Sequence, residues 1–394
     1  MSKLSTERYL AVDSLRGIAA LAVTFFHLHH QAFKGVNSEI IAFLSAVLQY
    51  GYLGVPVFFV ISGFVIAATI TAPDVTFRYV GKFAIKRSLR LDPPYWLSIA
   101  LEISLVYITL GVFGIDVKIP SLEQITANLF YLQNLVGVGD IAANYWTLCL
   151  EVQFYLFLAL VFAGANKIPT SRARRNFTVS MFVVTGSVSL LIAAKVISNP
   201  VPGLFLSHWY LFLLGSTCYW VSIKRSIDKS VFFSYCVLAM TVFVWRSREN
   251  HYDALNTLVA IATAIFLYVA AKRQKMSTWL SSRVLLYLGS ISYSLYLFHA
   301  IIGDRFLSFV NRVLLPRFGI SIQSTPMALL LLVLVLAVAL ISAHLIHALV
   351  EKPSVRLSKR VRPAACSSIL DDLRGARGDD VEGPPRISPR SAAE

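Results

Sequence analysis

The chain has 394 residues, of which 56% are hydrophobic and only 14% charged, with a mean hydropathy of +0.66. A soluble domain carries about 25% charged residues, so a single water-facing fold cannot hide this apolar surface and a bilayer is its natural solvent. The formal charge of +15 invites a nucleic-acid reading; that reading fails because the cations fall in short loops between apolar segments, where insertion bias accounts for them.

About 20 apolar residues cross a bilayer as a helix. Lys3 and Arg8 precede the first apolar run, and no small-residue cleavage site follows, so residues 10–31 are predicted to be a retained first span. Further spans are predicted over 51–71, 91–113, 145–163, 177–196, 203–222, 231–246, 254–271, 284–303 and 326–350. The apolar stretch 38–50 either extends the second span or lies at the interface. The stretch 125–137 reads as interfacial or re-entrant. No internal repeat is visible. With the N-terminus inside, 27 of the 36 Lys and Arg residues fall in inner segments, eight in outer loops, and Arg16 within the first span. This split predicts an all-α integral membrane protein of about ten transmembrane helices, with both termini cytoplasmic; the expected location is a bacterial plasma (inner) membrane. Residues 1–355 are expected to form the membrane domain. Residues 356–394 are expected to form a disordered basic cytoplasmic tail, because the sequence from Pro363 onward is too polar to bury a core. Cys149, Cys218, Cys236 and Cys366 show neither a disulfide framework nor metal-ligand spacing.

Ionisable groups inside a bilayer cost at least ~2.5 kcal/mol and mark cavities or partners. Arg16 and His27 are eleven residues apart, close to three full helical turns, so they share one helix face about 16 Å apart. Glu151, His208 and His299 are placed with His27 in the outer halves of four different spans. Arg16, Lys86, Arg87 and Arg90 lie toward the inner side. One end is thus suited to an anion, the other to proton transfer. Bland readings stand beside these. Arg16 can snorkel, a lone membrane histidine can bridge helices, and "KRSLR" can be an inner anchor. His29 and His30 fit the outer headgroup region, His344 and His347 fit structural roles, and no metal site is expected.

Six segments in order resemble the acyltransferase type 3 family of integral membrane acyltransferases. They are "DSLRGIAALAVTFFHLHH", "GYLGVPVFFVISGFVIA", "KRSLRLDPPYW", "NYWTLCLEVQFY", "LGSISYSLYLFH" and "VEKP", and they cover roughly residues 9–355. The resemblance implies transfer of an acyl group, usually acetyl, from cytoplasmic acyl-coenzyme A to a hydroxyl of an extracytoplasmic glycan or related small molecule. Acyl-CoA would be the donor substrate, and membrane lipids would surround the enzyme. On this reading Arg16, Arg87 and Arg90 bind the phosphates of the donor. The pantetheine arm threads past Gly51, Gly54 and Gly63. His27 acts as general base or forms a transient acyl-histidine, and Glu151 orients a catalytic histidine. His299 is the third catalytic candidate, and Trp146, His208 and Tyr293 are assigned to the acceptor. The picture needs a passage joining the inner arginines to the outer imidazoles. Asp92 has no assigned role. The competing reading is a multi-span transporter or flippase of a glycan or lipid-linked precursor, against which the absence of repeat symmetry counts.

Overall fold

The computed structural model describes residues 9–70, 75–114, 117–224, 227–248, 251–319 and 324–361. Among them the chain is helical throughout. In order the helices are α1 (Leu10–Ala32), α2 (Glu39–Leu48), α3 (Gly54–Thr69), α4 (Phe77–Phe113), α5 (Leu122–Leu129), α6 (Gln133–Val136), α7 (Tyr145–Ala165) and α8 (Ser171–Ala193). They continue as α9 (Trp209–Ser222), α10 (Lys229–Arg246), α11 (His251–Lys272), α12 (Arg283–Phe309), α13 (Leu315–Arg317), α14 (Thr325–Ile346) and α15 (Lys352–Ser358). Local chemistry sets many of the starts: Ser38, Thr76, Ser121, Thr170, Asp228 and Ser282 each accept a hydrogen bond from a first-turn amide.

Nine helical stretches among the described residues are long and apolar enough to span a membrane. The region expected as the sixth span is shorter. It holds a 3-10 turn at Phe205–Ser207 and the 14-residue α9, which is buried along nearly its whole length. The apolar stretch before residue 51 does extend the second span: α2 runs through a 3-10 turn, Gln49–Leu53, into α3. The stretch 125–137 breaks into α5 and α6. It folds back against α4, where Tyr95 Oη donates to Asn128 O at 2.9 Å and Tyr131 Oη donates to Asp92 Oδ1 at 3.0 Å. Asp92 also accepts from Ser88 Oγ, so it ties this folded-back segment to α4. α15 crosses the expected boundary at residue 355, and residues 362–394 of the expected tail lie outside the described residues.

Helix crossings are set by small residues, which let backbones approach where no hydrophobic force acts between helices in lipid. α1 and α12 make the longest interface. A Cβ at Gly17 would lie 2.5 Å from Gly289 N, and one at Gly289 would collide with Asp13 O. α3 and α9 cross the same way: a Cβ at Gly63 would strike Phe212 O, and one at Gly215 would strike Val60 O. Gly51 and Gly54 face the carbonyls of Ala22 and Ala19 on α1. These glycines therefore serve helix packing, and the expected route for a ligand past them is replaced by protein backbone.

Candidate active site

α1 carries the axis of the site. Its starting end is fastened to the connection before α12, with Ala11 N donating to Met276 O at 2.9 Å and Ser14 Oγ to Leu280 O at 2.6 Å. α1 and α12 then run side by side from that end. They bring His27 and His299 together, with His299 Nε2 and His27 Nδ1 3.2 Å apart and ring centroids at 4.9 Å. His299 is fully buried, whereas His27 is half-buried. The bonding pattern assigns the protons. Leu295 O, 3.0 Å from His299 Nδ1, can only accept, so that nitrogen carries the hydrogen and His299 Nε2 keeps its lone pair. His27 Nδ1 faces that lone pair and also Val23 O at 3.0 Å, so it is the donor. His27 Nε2 is left without a hydrogen, the state a proton acceptor requires. Phe26 packs edge-on against the His27 ring at 5.0 Å.

The other end of the seam is charged. Arg16 lines a cavity of about 50 Å³ with Ser62, Glu151, Tyr293 and Tyr296. Ser62 Oγ donates to Glu151 Oε1 at 2.5 Å, and Tyr155 Oη donates to the same oxygen. Arg87 lies across Tyr155 with its guanidinium carbon 4.8 Å from the ring centroid, and 5.4 Å from that of Phe83. Arg16 and Glu151 are within electrostatic reach of Arg87, and Arg90 feels Arg16, Arg87, Glu351 and Glu151. Glu351, in the "VEKP" segment, sits at a π-helical turn, His347–Glu351. It accepts from Ser294 Oγ at 2.7 Å and lies 3.0 Å from His347 Nδ1. Three guanidiniums against two carboxylates leave one formal positive charge. α4 begins at Phe77, earlier than the span expected from residue 91, so Arg87 and Arg90 lie about 15 and 20 Å along it.

Several expectations are corrected. Glu151 does not orient a histidine: its partners are Ser62 and Tyr155, while His27 and His299 bond each other and backbone carbonyls. The cause is the depth at which α7 begins. Asn144, just before it, is buried and donates to Tyr296 O at 2.5 Å. Tyr296 is already about 4.5 Å inward of His299, and Glu151 lies a further ~10 Å along α7, level with Arg16. Tyr293 is likewise about 9 Å inward of His299; it lines the Arg16 cavity and donates to Leu91 O at 2.8 Å, not at an acceptor entrance. His208 and Trp146 meet at a tilt beside Phe59, with centroids 5.4 Å apart, and belong to an aromatic cluster apart from the histidine pair. The expected passage is closed. Phe58 and Tyr296 both line the cavity and meet edge to face at 5.3 Å, and Tyr296 stands 6.0 Å from the His299 ring. Tyr296 Oη is held at 2.7 Å from Thr147 Oγ1.

The residues not anticipated are Ser62, Tyr155 and Tyr296, and an outer cluster one turn beyond the histidines. There Gln31 Nε2 donates to Asp304 Oδ1 at 3.4 Å, and Arg305 pairs with Glu102 at 2.5 Å. Gln31, at i+4 from His27, and Tyr155, at i+4 from Glu151, were open to a periodicity argument.

Comparisons with known proteins place the chain in a family. A family model described as an acyltransferase domain matches residues 9–344. The chain is 26% identical over 393 residues to acyltransferase MdmB of Streptomyces mycarofaciens, covering 91% of this chain and 94% of that protein. It is 25% identical over 327 residues to O-acetyltransferase OatA of Staphylococcus aureus (strain NCTC 8325 / PS 47), covering 76% of this chain and 51% of OatA. It is 24% identical over 332 residues to YrhL of Bacillus subtilis (strain 168), covering 75% of this chain and 49% of YrhL. The chain thus spans about half the length of OatA and YrhL and nearly all of MdmB. No solved structure matches it. With two histidines facing each other on the α1–α12 seam, arginines of α1 and α4 toward its other end, and a family match running from the first described residue into the last span, the chain belongs to this family of membrane-embedded acyltransferases.

Proposed function

We propose that this protein is an O-acetyltransferase that takes an acyl group, acetyl in the first instance, from cytoplasmic acyl-coenzyme A and places it on a hydroxyl of an extracytoplasmic glycan or related small molecule. The observation that carries the reading is the alignment along α1 of Arg16, which has Arg87 and Arg90 within electrostatic reach, and of a bare imidazole nitrogen, about 16 Å apart. Arg87 and Arg90, one turn apart on α4, present guanidinium forks suited to phosphate, and Arg16 marks the way inward to the seam. The names of OatA and the family model support the transfer of an acyl group to oxygen.

In the reaction, His27 Nε2 takes the proton of the acceptor hydroxyl as its oxygen attacks the thioester carbonyl. The tetrahedral intermediate collapses with cleavage of the C–S bond, and the protonated imidazole returns the proton to the departing thiolate. His299 accepts the His27 Nδ1 hydrogen and so keeps the base in one tautomer. The Arg16 cavity is far below the ~300 Å³ of an ordinary ligand pocket, so the donor arm enters only when Phe58 and Tyr296 part. The test is acetyl transfer from labelled acetyl-CoA by purified protein in liposomes. Label on a hydroxyl acceptor, lost in His27→Ala at equal protein level, supports the reading. Unaltered transfer in that variant removes His27 from it, and label stably bound to His27 replaces direct attack with a two-step route.

A further inference from the structure

A second feature lies away from the seam. α8 and α10 both pack on α9 but hardly touch one another. Between them runs a groove of about 670 Å³, open to the membrane and lined largely by apolar side chains, among them Val179, Phe182, Val183, Leu213 and Leu238. It extends along α8 from Arg174 to Leu190, about 24 Å, more than the ~15 Å half-thickness of a bilayer core. One end is different in kind. Arg174, Arg175 and Lys224 line it there, at the end of the bundle where α7 and α9 finish and α8 and α10 begin. Arg174 Nη2 donates to Ile168 O at 3.2 Å, which fixes the guanidinium, while its Nε is buried without a hydrogen-bond partner. Tyr235 Oη, deeper in the same groove, is also buried without one.

We infer that this groove is a binding site for one anionic glycerophospholipid, with its phosphate at Arg174, Arg175 and Lys224 and its acyl chains laid on α9. Charge and shape both select that occupant. An apolar trough alone takes any lipid chain, but three cations at its mouth and an unsatisfied guanidinium N–H call for an anionic headgroup oxygen. The family's acceptor chemistry plays no part in this argument, so the site stands or falls apart from the proposed reaction.

The experiment is heat unfolding of the full-length detergent-purified protein with added phosphatidylglycerol, phosphatidylcholine or inorganic phosphate, with native mass spectrometry of the same samples. Phosphatidylglycerol is expected to raise the midpoint and to remain bound as a single adduct. Phosphatidylcholine is expected to do so weakly, and phosphate not at all. Each cation removed in R174Q, R175Q and K224Q weakens phosphatidylglycerol binding roughly fivefold, and Ser187→Trp, which fills the trough, abolishes the adduct. Equal effects of the two lipids on the wild-type protein overturn the proposal even where variants fail to fold. So do stabilisation by phosphate alone, an undiminished preference in the triple variant, or a dimer mass with no lipid bound, which would make the groove an interface between copies.

Discussion

The two ends of the α1–α12 seam are built from opposite materials. At the arginine end, side chains bond side chains: Ser62 and Tyr155 hold Glu151, Ser294 holds Glu351, and the carboxylates leave the guanidiniums in surplus. At the histidine end, the two rings bond each other and the backbone. Val23 O and Leu295 O tether the two rings, which take no carboxylate partner among the described residues. The difference shows how one helix serves two tasks in lipid. Holding an anion requires fixed positive charge that is not fully cancelled. Holding a base requires a neutral ring whose spare hydrogen is already committed, so that its lone pair faces the substrate.

Replacing residues at one end and reading the other tests this division. The largest effect is expected for His27→Ala, a fall of roughly 10²–10⁴-fold in kcat, the usual worth of a general base, with coenzyme A affinity unchanged by calorimetry. Loss of donor affinity in that variant would merge the two ends into one. Next is Arg87→Ala, for which KM for acetyl-CoA should rise roughly 10- to 100-fold, the loss of one charge-assisted contact, while kcat at saturating donor holds. A kcat loss without a KM change would place Arg87 in the chemistry instead. Glu151→Gln sharpens the corrected assignment. Its effect, about tenfold, belongs in donor KM, and a shifted pH profile of kcat would return Glu151 to the histidines. Smallest is Tyr296→Phe, which deletes the bond to Thr147 and should lower stability by about 1 kcal/mol, read as a modest drop in unfolding midpoint.

The all-helical membrane fold, nine of the ten expected spans and the shared face of Arg16 and His27 were legible because periodicity and hydropathy are local properties. Contact between His27 and His299 was not, since it depends on how close two distant helices come, which Gly17 and Gly289 decide only as a pair. Glu151 was misplaced for a related reason. Counting from the end of a span assumes that the span starts at the surface, whereas α7 starts within the protein, where Asn144 is bound to α12. The second-span glycines were read as room for a ligand because an isolated sequence does not show which backbone occupies the space beside them. Asp92 acquires its role only once Tyr131 folds back onto α4.

The contact of Phe58 with Tyr296 carries a consequence for charge along the seam. An ion moving through a bilayer can draw about 2.3 kcal/mol per charge from each 100 mV across it. Two aromatic rings packed edge to face, one of them 6.0 Å from the His299 ring, put apolar surface between the Arg16 cavity and the imidazoles.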